Sequence, residues 1–390
     1  MKKNFDVIII GAGASGYSCA ISALAQNKTV CILEHNNSPL KKVKISGGGR
    51  CNFTNLNIGA VNYVTSSNQP NFIKNALDKF SPQEFLRLIN KHKIGFAEKA
   101  KGQLFTSAAS QKIIDMLMSE AAKANTYFDI NIKSVNKKNE LFYVETNKAV
   151  FLSSSLVVAT GGLSYPNIGA TDLGSKIAKQ FGIKIIPHKP ALVPLNLDNE
   201  TMKETIKLKG ISLEADVECS GRLFNDNILF THFGLSGPAI LQASLYWQKG
   251  SKIKINLLPK IDLNKELKEL RNSSKGKKIS NILAKYIPGK LAGYIIGNND
   301  CFITEASNKL IESIANKVNG WEITPAGTQG FKLAEVTSGG IDIEEINENF
   351  EARKEPKLFF IGEVLDVTGQ LGGYNLQWAW SSGFIAGKYV

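Results

Sequence analysis

Three glycines near the start of the chain have the spacing of a phosphate-binding turn. Gly11, Gly13 and Gly16 follow an apolar run from Asp6 to Ile10 and precede a stretch of small residues with helical character. In such a turn the first glycine permits a tight bend, the second lets the backbone approach a pyrophosphate, and the third lets the helix lie close to the strand. The positive end of the helix dipole and its free N–H groups favour phosphate charge. The turn therefore predicts a dinucleotide site.

A second apolar run, Thr29 to Leu33, ends at Glu34. A carboxylate at this point of a βαβ unit accepts hydrogen bonds from an adenosine ribose, and its charge disfavours a 2′-phosphate. The alternative to a dinucleotide site is a glycine-rich turn in an ordinary α/β domain. The βαβ unit predicts cofactor contacts from Gly11, Gly13, Ala14, Ser15, Gly16 and Glu34.

The 390 residues are enough for two or three domains. Prolines cluster between 187 and 194 and alternating strand patterns follow, which predicts a β-rich insert over 191–330 with a helical part at about 262–320. The C-terminal segment has the pattern of a strand, a glycine-rich loop and a helix, which is the order of elements predicted at the start of the sequence. We therefore expect one cofactor domain formed from 1–190 and 331–390.

Composition narrows the class of protein. The five cysteines are scattered without a CxxC pair, which disfavours a disulfide scaffold and a dithiol relay and favours a cytoplasmic location. The N-terminal Lys2-Lys3 and apolar run imitate a secretion signal, but Asp6 interrupts the run and cleavage would remove the glycine turn. No segment has the length of a membrane span, and the four histidines have no metal-ligand spacing.

The net charge of +13 raises a nucleic-acid hypothesis. The densest basic run, Lys260 to Lys278, has leucines at helical spacing, which indicates a solvated helix face. No aromatic residues interleave with the run to stack bases. The pattern therefore disfavours nucleic acid as the main partner. An RNA-modifying or RNA-binding protein is the alternative, testable by neutralising Lys275, Lys277 and Lys278.

Two later segments favour FAD over a nicotinamide alone. Val157 to Gly162 resembles the strand-to-loop segment of two-domain flavoproteins, and Phe359 to Asp366 resembles their late strand with an acid that binds the flavin ribitol. Glu363 stands where aspartate is usual, so either Glu363 or Asp366 can take that role. An extended FAD needs groups from distant parts of the chain, whereas a second GxGxxG for a separate NAD(P)H domain is missing. NAD(P)H is then expected only as a transient reductant.

Longer motifs identify a family. The segments Lys44–Asn55, Leu163–Pro166, Leu229–Pro238 and Gly362–Gly383 closely resemble a bacterial flavoprotein family labelled aminoacetone oxidase or NAD(P)/FAD-dependent oxidoreductase. The resemblance spans nearly the whole chain. It implies an α/β fold in which a Rossmann-type FAD-binding domain is interrupted by a β-barrel-like insert that carries a small helical subdomain. It leaves the substrate, the electron acceptor and the oligomeric state open.

Three residues are candidates for catalysis. Arg50 can hold the pyrophosphate or the flavin O2/N1 edge, where reduction places negative charge; the alternative is a solvated arginine in a surface loop. His232 is the candidate general base in a glycine-bounded turn, against a structural histidine. Tyr374 can line the substrate face or be a core aromatic. Cys51 beside Arg50 can be a thiolate, although a small filler is the preferred interpretation.

The remaining cofactor contacts are expected along the same segments: Lys44, Gly48, Gly49, Arg50, Cys51, Asn52, Val135, Ala159, Thr160, Gly161, Gly362, Glu363, Asp366, Gly373, Tyr374, Asn375 and Leu376. The expected function is an FAD-dependent oxidoreductase that transfers hydride between flavin N5 and a small organic substrate or NAD(P)H, of amine-oxidase or NAD(P)H-reductase type. A flavin-bound sensor or scaffold without turnover is a third possibility.

Overall fold

The computed structural model describes residues 2–67, 69–273 and 276–390. Lys275 therefore lies outside the described residues. Within those ranges, no helix combines the length and the apolar character that crossing a bilayer requires.

Strands occur throughout the chain. In chain order they are β1 (Lys2–Ile10), β2 (Val30–Leu33), β3 (Asn52–Asn55), β4 (Tyr63–Val64), β5 (Phe96–Glu98), β6 (Gln103–Thr106), β7 (Asn125–Tyr127), β8 (Ile132–Lys138), β9 (Leu141–Thr146), β10 (Val150–Val158), β11 (Ile185–Ala191), β12 (Leu195–Asn196), β13 (Ser212–Cys219), β14 (Arg222–Phe230), β15 (Gly234–Ser236), β16 (Ile253–Asn256), β17 (Trp321–Ile323), β18 (Gly327–Thr328), β19 (Val336–Ile341), β20 (Leu358–Phe360) and β21 (Thr368–Gly369).

Helices separate many of these strands. In chain order they are α1 (Ala14–Leu24), α2 (Lys41–Gly49), α3 (Pro70–Lys79), α4 (Pro82–Lys91), α5 (Gln111–Glu120), α6 (Leu173–Gln180), α7 (Asn199–Thr205), α8 (Pro238–Ser244), α9 (Leu263–Ser273), α10 (Ile279–Leu283), α11 (Gly289–Ile296), α12 (Asn308–Asn319) and α13 (Tyr374–Tyr389).

The chain divides into two compact units. Unit 1 consists of Met1–Pro190 and Val336–Val390, and unit 2 of Ala191–Glu335. The chain leaves unit 1 after β11 and returns to it with β19, and these two strands pair with each other. Unit 1 is therefore built from both ends of the sequence.

The main sheet of unit 1 has the order β7-β2-β1-β10, with β20 and the β9–β8 hairpin on the far side of β10. β1 is parallel to β2 and β10, and β10 is parallel to β20. The central strands are uninterrupted apolar runs, such as Val7–Ile10 and Leu156–Val158, that are fully or almost fully buried. Helices on both faces of a parallel sheet require such two-sided burial. The carboxyl ends of β1, β10 and β20 consequently lie side by side.

Helix α13 packs against α1 at very short range. The Ser18 hydroxyl donates to the Trp380 carbonyl oxygen, and the Ser22 hydroxyl donates to the Phe384 carbonyl oxygen, both at 2.7 Å. A side chain at Gly383 would overlap the Ser15 carbonyl oxygen and would lie 2.8 Å from the Ser18 Cβ atom. This contact anchors the last helix of the chain to the first one.

The segment 41–57 is rich in glycine and lysine, a composition that predicts a loop, but it is partly regular. Helix α2 begins at Lys41 and loses helical geometry at Ser46, Gly47 and Gly48, where both glycines have positive φ angles. Strand β3 follows and pairs with β6. The glycines end the helix because left-handed backbone is favourable for glycine but interrupts helical hydrogen bonding.

Unit 2 combines a sheet with a helical part. Its strands follow the order β17-β16-β13-β14-β15-β12-β18, and the pairs are antiparallel where their register is defined. Helices α9 to α12 lie between β16 and β17 in sequence. In α9, Leu263 and Leu267 are fully buried, and the charged Lys265 and Glu269 are exposed.

The α1–α13 contact generates a stability prediction. Gly383→Ala places a methyl group against the backbone of α1, so we expect the unfolding free energy to fall by about 1–3 kcal/mol. Gly293→Ala is the matched control, since Gly293 is also inside a helix but its Cβ position is open. Alanine there is expected to stabilise by about 0.5–1 kcal/mol. Thermal unfolding followed by circular dichroism decides; equal melting temperatures for the two variants would contradict the close packing.

Candidate cofactor site

The glycine turn lies between the carboxyl ends of β1 and β10. Gly11 has a φ of 111°, and a side chain there would overlap the Ala159 carbonyl oxygen at the end of β10. A side chain at Gly16 would overlap the Gly11 carbonyl oxygen, whereas the Cβ position of Gly13 is open. The turn is thus compressed on its inner side and free on the side where a pyrophosphate would lie.

The start of α1 has no side-chain cap. Its N-cap residue is Gly13, and the first turn holds no acidic residue. Ser15 is nearly buried and lies against the loop that follows β20. A side chain at Gly362 would come within 2.6 Å of the Ser15 hydroxyl oxygen. The uncapped N–H groups and the positive helix dipole make this end of α1 suitable for an anion.

Glu34 is almost fully buried at the end of β2 and accepts several hydrogen bonds. Its Oε1 accepts from the Asn36 backbone and side-chain amides at 2.8 and 2.9 Å, and its Oε2 accepts from the Ala12 N–H at 2.8 Å. The His35 ring nitrogen Nδ1 lies 3.1 Å from Oε1. Because each carboxylate oxygen accepts about two hydrogen bonds, Oε2 keeps capacity for one more donor, such as a ribose hydroxyl.

The pair Glu34–His35 has shifted pKa values. Burial raises the pKa of Glu34, but hydrogen bonds from His35, Asn36 and Ala12 outweigh it, and the pKa lies below its usual 4.5. The hydrogen bond with Glu34 raises the pKa of His35 above 6.5. The stability that the Glu34 carboxylate contributes is lost as pH falls through its lowered pKa. The stability that the His35 imidazolium contributes is lost as pH rises through its raised pKa. Both contributions are complete between pH 4.5 and 6.5.

The segment after β10 meets the segment after β20. The Glu363 carboxylate forms an ion pair with the Lys42 ammonium at 2.7 Å and accepts from the Thr337 N–H at 2.9 Å. The Ser164 hydroxyl also donates to Glu363, at 3.1 Å. A side chain at Gly162 would lie 3.0 Å from Glu363 Oε1. Glu363 therefore borders the end of β10.

Asp366 has a different environment from Glu363. It is 1% exposed, its Oδ2 accepts from the Ser66 N–H at 2.7 Å, and burial raises its pKa. Glu363 is the more accessible acid, with a side chain 19% exposed. Of the two residues that the sequence leaves open for a ribitol contact, the geometry favours Glu363.

A buried hydroxyl lacks a partner at the same strand end. The Oγ1 atom of Thr160 is buried and has no hydrogen-bond partner among the described residues. A buried hydroxyl without a partner costs about 1–3 kcal/mol. An external donor or acceptor at this point would remove that cost.

The loop around Gly48 and Gly49 projects a free cation. Arg50 is exposed, and its guanidinium has no hydrogen bond or ion pair in the described parts of the chain. The loop itself is fixed, because Thr106 donates to the Arg50 carbonyl oxygen and the Ser110 N–H donates to the Gly49 carbonyl oxygen at 2.8 Å. A held backbone with an unpaired guanidinium fits the predicted anion-binding role.

Cys51 and Asn52 lie just inside this loop. Cys51 is fully buried, and burial raises the pKa of its thiol to about 12, so the filler interpretation fits and a thiolate does not. The Asn52 amide lies 3.1 Å from the Gln103 amide. Lys44 is exposed, and its carbonyl oxygen accepts from the Ser110 hydroxyl at 2.7 Å.

The C-terminal loop lies against β3. A side chain at Gly373 would come within 2.5 Å of the Thr54 carbonyl oxygen, and the Asn55 amide donates to the Gly372 carbonyl oxygen at 2.9 Å. Asn375 closes the loop by hydrogen bonds to both backbone groups of Gly369. Helix α13 begins after Gly373 and has no side-chain cap. The N–H groups of Tyr374, Asn375 and Leu376 lie at this uncapped start.

Tyr374 has the contacts of a core residue. It is 7% exposed, burial raises the pKa of its phenol, and its ring stands edge-on to Tyr63. The Tyr63 hydroxyl donates to the Tyr374 carbonyl oxygen at 2.9 Å. Of the two interpretations of Tyr374, the structure favours the core aromatic.

Two predicted site residues, Val135 and His232, lie in other elements. Val135 is in β8, which β9 separates from β10, and its carbonyl oxygen accepts from the Gln180 amide. His232 belongs to unit 2, where it is exposed and stacks edge-on against Phe233. Its role as a general base stays a prediction.

Sequence reasoning missed His35 and Lys42 as partners of the site acids. It gave Thr160 as a cofactor contact but did not predict that its buried hydroxyl lacks a partner among the described residues. His35 follows Glu34 directly, and a titratable neighbour of the expected ribose acid was the available signal. No sequence signal pairs Lys42 with Glu363, which stand 321 positions apart.

Comparison with known proteins identifies the family. The family model for the HI0933-like protein Rossmann domain matches residues 5–389. The chain belongs to this family. It is 42% identical to "Ribosomal RNA dihydrouridine synthase" of Escherichia coli K12 over 99% of this chain and 98% of the relative, and 39% identical to the protein of that name from Haemophilus influenzae over 98% of each. It is 28% identical to "3-dehydro-bile acid delta(4,6)-reductase" of Clostridium scindens over 97% of each.

Solved structures support the same fold. A 3-ketosteroid-delta4-(5alpha)-dehydrogenase from Rhodococcus jostii aligns with a TM-score of 0.50 at 14% identity, over 99% of this chain and 96% of that one. A quinol-fumarate reductase aligns with a TM-score of 0.51 at 13% identity, over all of this chain and 71% of that one. The family is shown, but the narrower aminoacetone-oxidase label is carried by none of these relatives.

This member of the HI0933-like family is a flavin-dependent oxidoreductase with FAD as its cofactor. The residues of unit 1 fit that group. The uncapped start of α1 suits the pyrophosphate, and Glu34 Oε2 has capacity for a ribose hydroxyl. Thr160, just after β10, offers a hydroxyl that has no partner among the described residues.

The assignment of Glu34 to the ribose is testable by substitution. Glu34→Gln replaces an anionic acceptor, so we expect FAD affinity to fall about tenfold to hundredfold, the effect of one hydrogen bond to a charged group. Turnover of the fully loaded variant is expected to be unchanged. Isothermal titration of the apoprotein with FAD measures this loss.

Glu120→Gln is the matched control, because Glu120 also has a lowered pKa and contacts His92 and Lys91, but on α5. Equal FAD affinity for wild type and Glu34→Gln would remove Glu34 from the site.

Arg50 generates a second prediction. Arg50→Gln removes the unpaired guanidinium, so we expect weaker FAD retention or a flavin midpoint potential lower by about 30 mV or more, the two-electron equivalent of ~1.4 kcal/mol. Spectroelectrochemical titration and the flavin-to-protein absorbance ratio measure both. Arg87→Gln, which removes an arginine already paired with Glu84 at 2.6 Å, is the control. If potential and occupancy both match wild type, Arg50 does not contact the cofactor.

Proposed function

We propose that this protein reduces the C5=C6 double bond of uridine in ribosomal RNA, with NAD(P)H as the reductant. The observation that carries the proposal is the near full-length similarity, at 42% and 39% identity, to two relatives named ribosomal RNA dihydrouridine synthase. The proposal departs from the sequence-based preference for a small organic substrate. It takes up the RNA-modifying alternative that the charge of +13 had raised.

The reaction balances as uridine plus NAD(P)H plus one proton giving 5,6-dihydrouridine and NAD(P)⁺. The double bond is conjugated with the C4 carbonyl, so hydride adds at C6 and a proton adds at C5. The bile-acid relative supports this reaction class, since its name describes reduction of double bonds conjugated with a 3-keto group. A carbon–carbon double bond activated by a carbonyl is common to both substrates.

Bound FAD supplies the two-electron chemistry between reductant and substrate. The chain supplies binding and charge. Arg50 can hold the oxygen on which negative charge develops, because no carboxylate of the described residues pairs with its guanidinium. The proton that reaches C5 requires an acid, and His232, an exposed residue of unit 2, is the proposed acid–base residue.

A second candidate is a reductase of small conjugated ketones. The 28% identity to the bile-acid reductase over 97% of each chain favours it. Oxidation of an amine such as aminoacetone is a third candidate function, which is supported by the resemblance of the motifs alone.

One experiment separates the candidates. FAD-loaded protein is incubated anaerobically with NADH or NADPH and either ribosomal RNA transcribed in vitro, free uridine, a steroid dienone or aminoacetone. We expect a uridine heavier by two hydrogens in the digested RNA, detected by mass spectrometry, and no change in free uridine. Consumption of the dienone with unreduced RNA would instead support the second candidate, and bleaching by aminoacetone alone would contradict both reductase proposals.

A further inference from the structure

Positive charge is concentrated in one segment of unit 1. Residues 35–112 hold twelve Lys/Arg and three Asp/Glu, whereas the whole chain holds 47 and 34. The excess of nine charges in this segment is most of the net +13. Between Glu34 and Asp78 there is no acidic residue at all. This asymmetry is stronger than in the basic run 260–278.

Several of these cations are exposed and unpaired. We name Lys44, Arg50, Lys93, Lys99 and Lys112 the basic rim. All five are exposed, and none forms an ion pair in the described part of the chain. By contrast, Lys42, Arg87 and Lys91 of the same segment are paired with Glu363, Glu84 and Glu120. The only acid of the hairpin β5–β6 is Glu98.

Backbone contacts hold the basic rim around the glycine loop. The Ser110 N–H donates to the Gly49 carbonyl oxygen, and the Ser110 hydroxyl donates to the Lys44 carbonyl oxygen. The Lys99 ammonium lies 4.0 Å above the Phe105 ring, whose edge lies against Gly47. The loop after Lys93 is tied to the same region, since the Ser107 N–H donates to the Gly95 carbonyl oxygen at 2.8 Å.

An aromatic ring is exposed among these cations. Phe96 is 38% exposed on the edge strand β5, and it is positioned by an edge-on contact with Phe53, 6.1 Å between ring centres. Exposed aromatic rings beside cations are the usual platform for unpaired bases. The missing aromatic residue that weakened the nucleic-acid hypothesis for 260–278 is thus present here.

The basic rim also borders the candidate cofactor site. Arg50 is followed by Cys51 and Asn52, and β3 lies against Gly372 and Gly373 at the start of α13. An RNA strand held on the basic rim would therefore place a flipped-out base near Gly372 and Gly373, at the start of α13.

We propose that the basic rim with Phe96 holds the single-stranded part of ribosomal RNA that flanks the target nucleotide. This inference rests on the proposed function. The cations contact phosphates without reading sequence, and Phe96 stacks on a neighbouring base. Two results are expected. The salt dependence of the affinity for RNA comes from the cations of the basic rim, and the Phe96 ring contributes to the same affinity.

The test compares two triple variants of the full-length FAD-loaded protein. Lys93→Gln, Lys99→Gln and Lys112→Gln remove three cations of the basic rim that have no assigned cofactor role. The control removes three exposed lysines of unit 2, Lys277→Gln, Lys285→Gln and Lys290→Gln. Binding of in vitro transcribed ribosomal RNA is measured by fluorescence anisotropy between 50 and 300 mM salt. Flavin content and reduction by NADPH without RNA verify that each variant is intact.

We expect the rim variant to bind RNA at least about tenfold more weakly and to lower the log–log salt slope by about 2, at ~0.7 per single-strand phosphate contact. The control is expected to match wild type. Phe96→Leu should cost about fivefold in affinity while Phe96→Trp keeps it. Equal affinity of rim variant and wild type, or an equal loss in the control, would overturn the inference.

The outcome for the proposed function is separate. Wild-type protein that binds RNA through the basic rim but leaves every uridine unreduced contradicts the proposed reaction and not the surface. Reduction of uridine by a rim variant with undiminished RNA affinity contradicts the surface and not the reaction.

Discussion

The close packing of the last helix on the first one is the constraint on which the site depends. Hydrogen bonds from Ser18 and Ser22 to the backbone of α13, and the glycine at 383, bring α13 against α1. In the sheet, β20 pairs with β10 beside β1. Without these contacts the start of α1, the end of β10 and the loop after β20 would not share one edge. Each segment alone is a turn with free polar groups, and together they suit an elongated dinucleotide.

Charge is arranged differently at the two ends of this edge. At the end of β2, Glu34 accepts hydrogen bonds from amides and an imidazole and keeps acceptor capacity on Oε2, which suits a hydroxyl and repels a phosphate. In the loop after β20, Glu363 is neutralised by Lys42, while Arg50, before β3, has no ion-pair partner among the residues that the structure describes. An unpaired guanidinium stabilises negative charge that develops during reduction, and an acid without a cation would oppose it. The same excess of cations continues onto the basic rim.

Much of this arrangement could be predicted from the sequence, because it depends on local patterns. The glycine spacing, the apolar strands and the acid at the end of β2 are short-range signals that predicted the fold class, and the later segments Val157–Gly162 and Phe359–Asp366 predicted FAD. Both predictions are confirmed. What escaped prediction depends on distant pairs. The Lys42–Glu363 ion pair joins positions 321 apart. The partial helix α2 was expected as a loop because its glycines conceal the helical start at Lys41. The burial of Tyr374 depends on Tyr63, which no periodicity connects to it.

The central claim is that both ends of the chain bind one FAD molecule. Hydrogen–deuterium exchange of the apoprotein and of the FAD-loaded protein tests it most directly. We predict that FAD protects backbone amides in two separate peptides, one covering Gly11–Gly16 and the other covering Gly362–Leu376. Protection restricted to the N-terminal peptide, or protection found mainly in unit 2, would contradict the account.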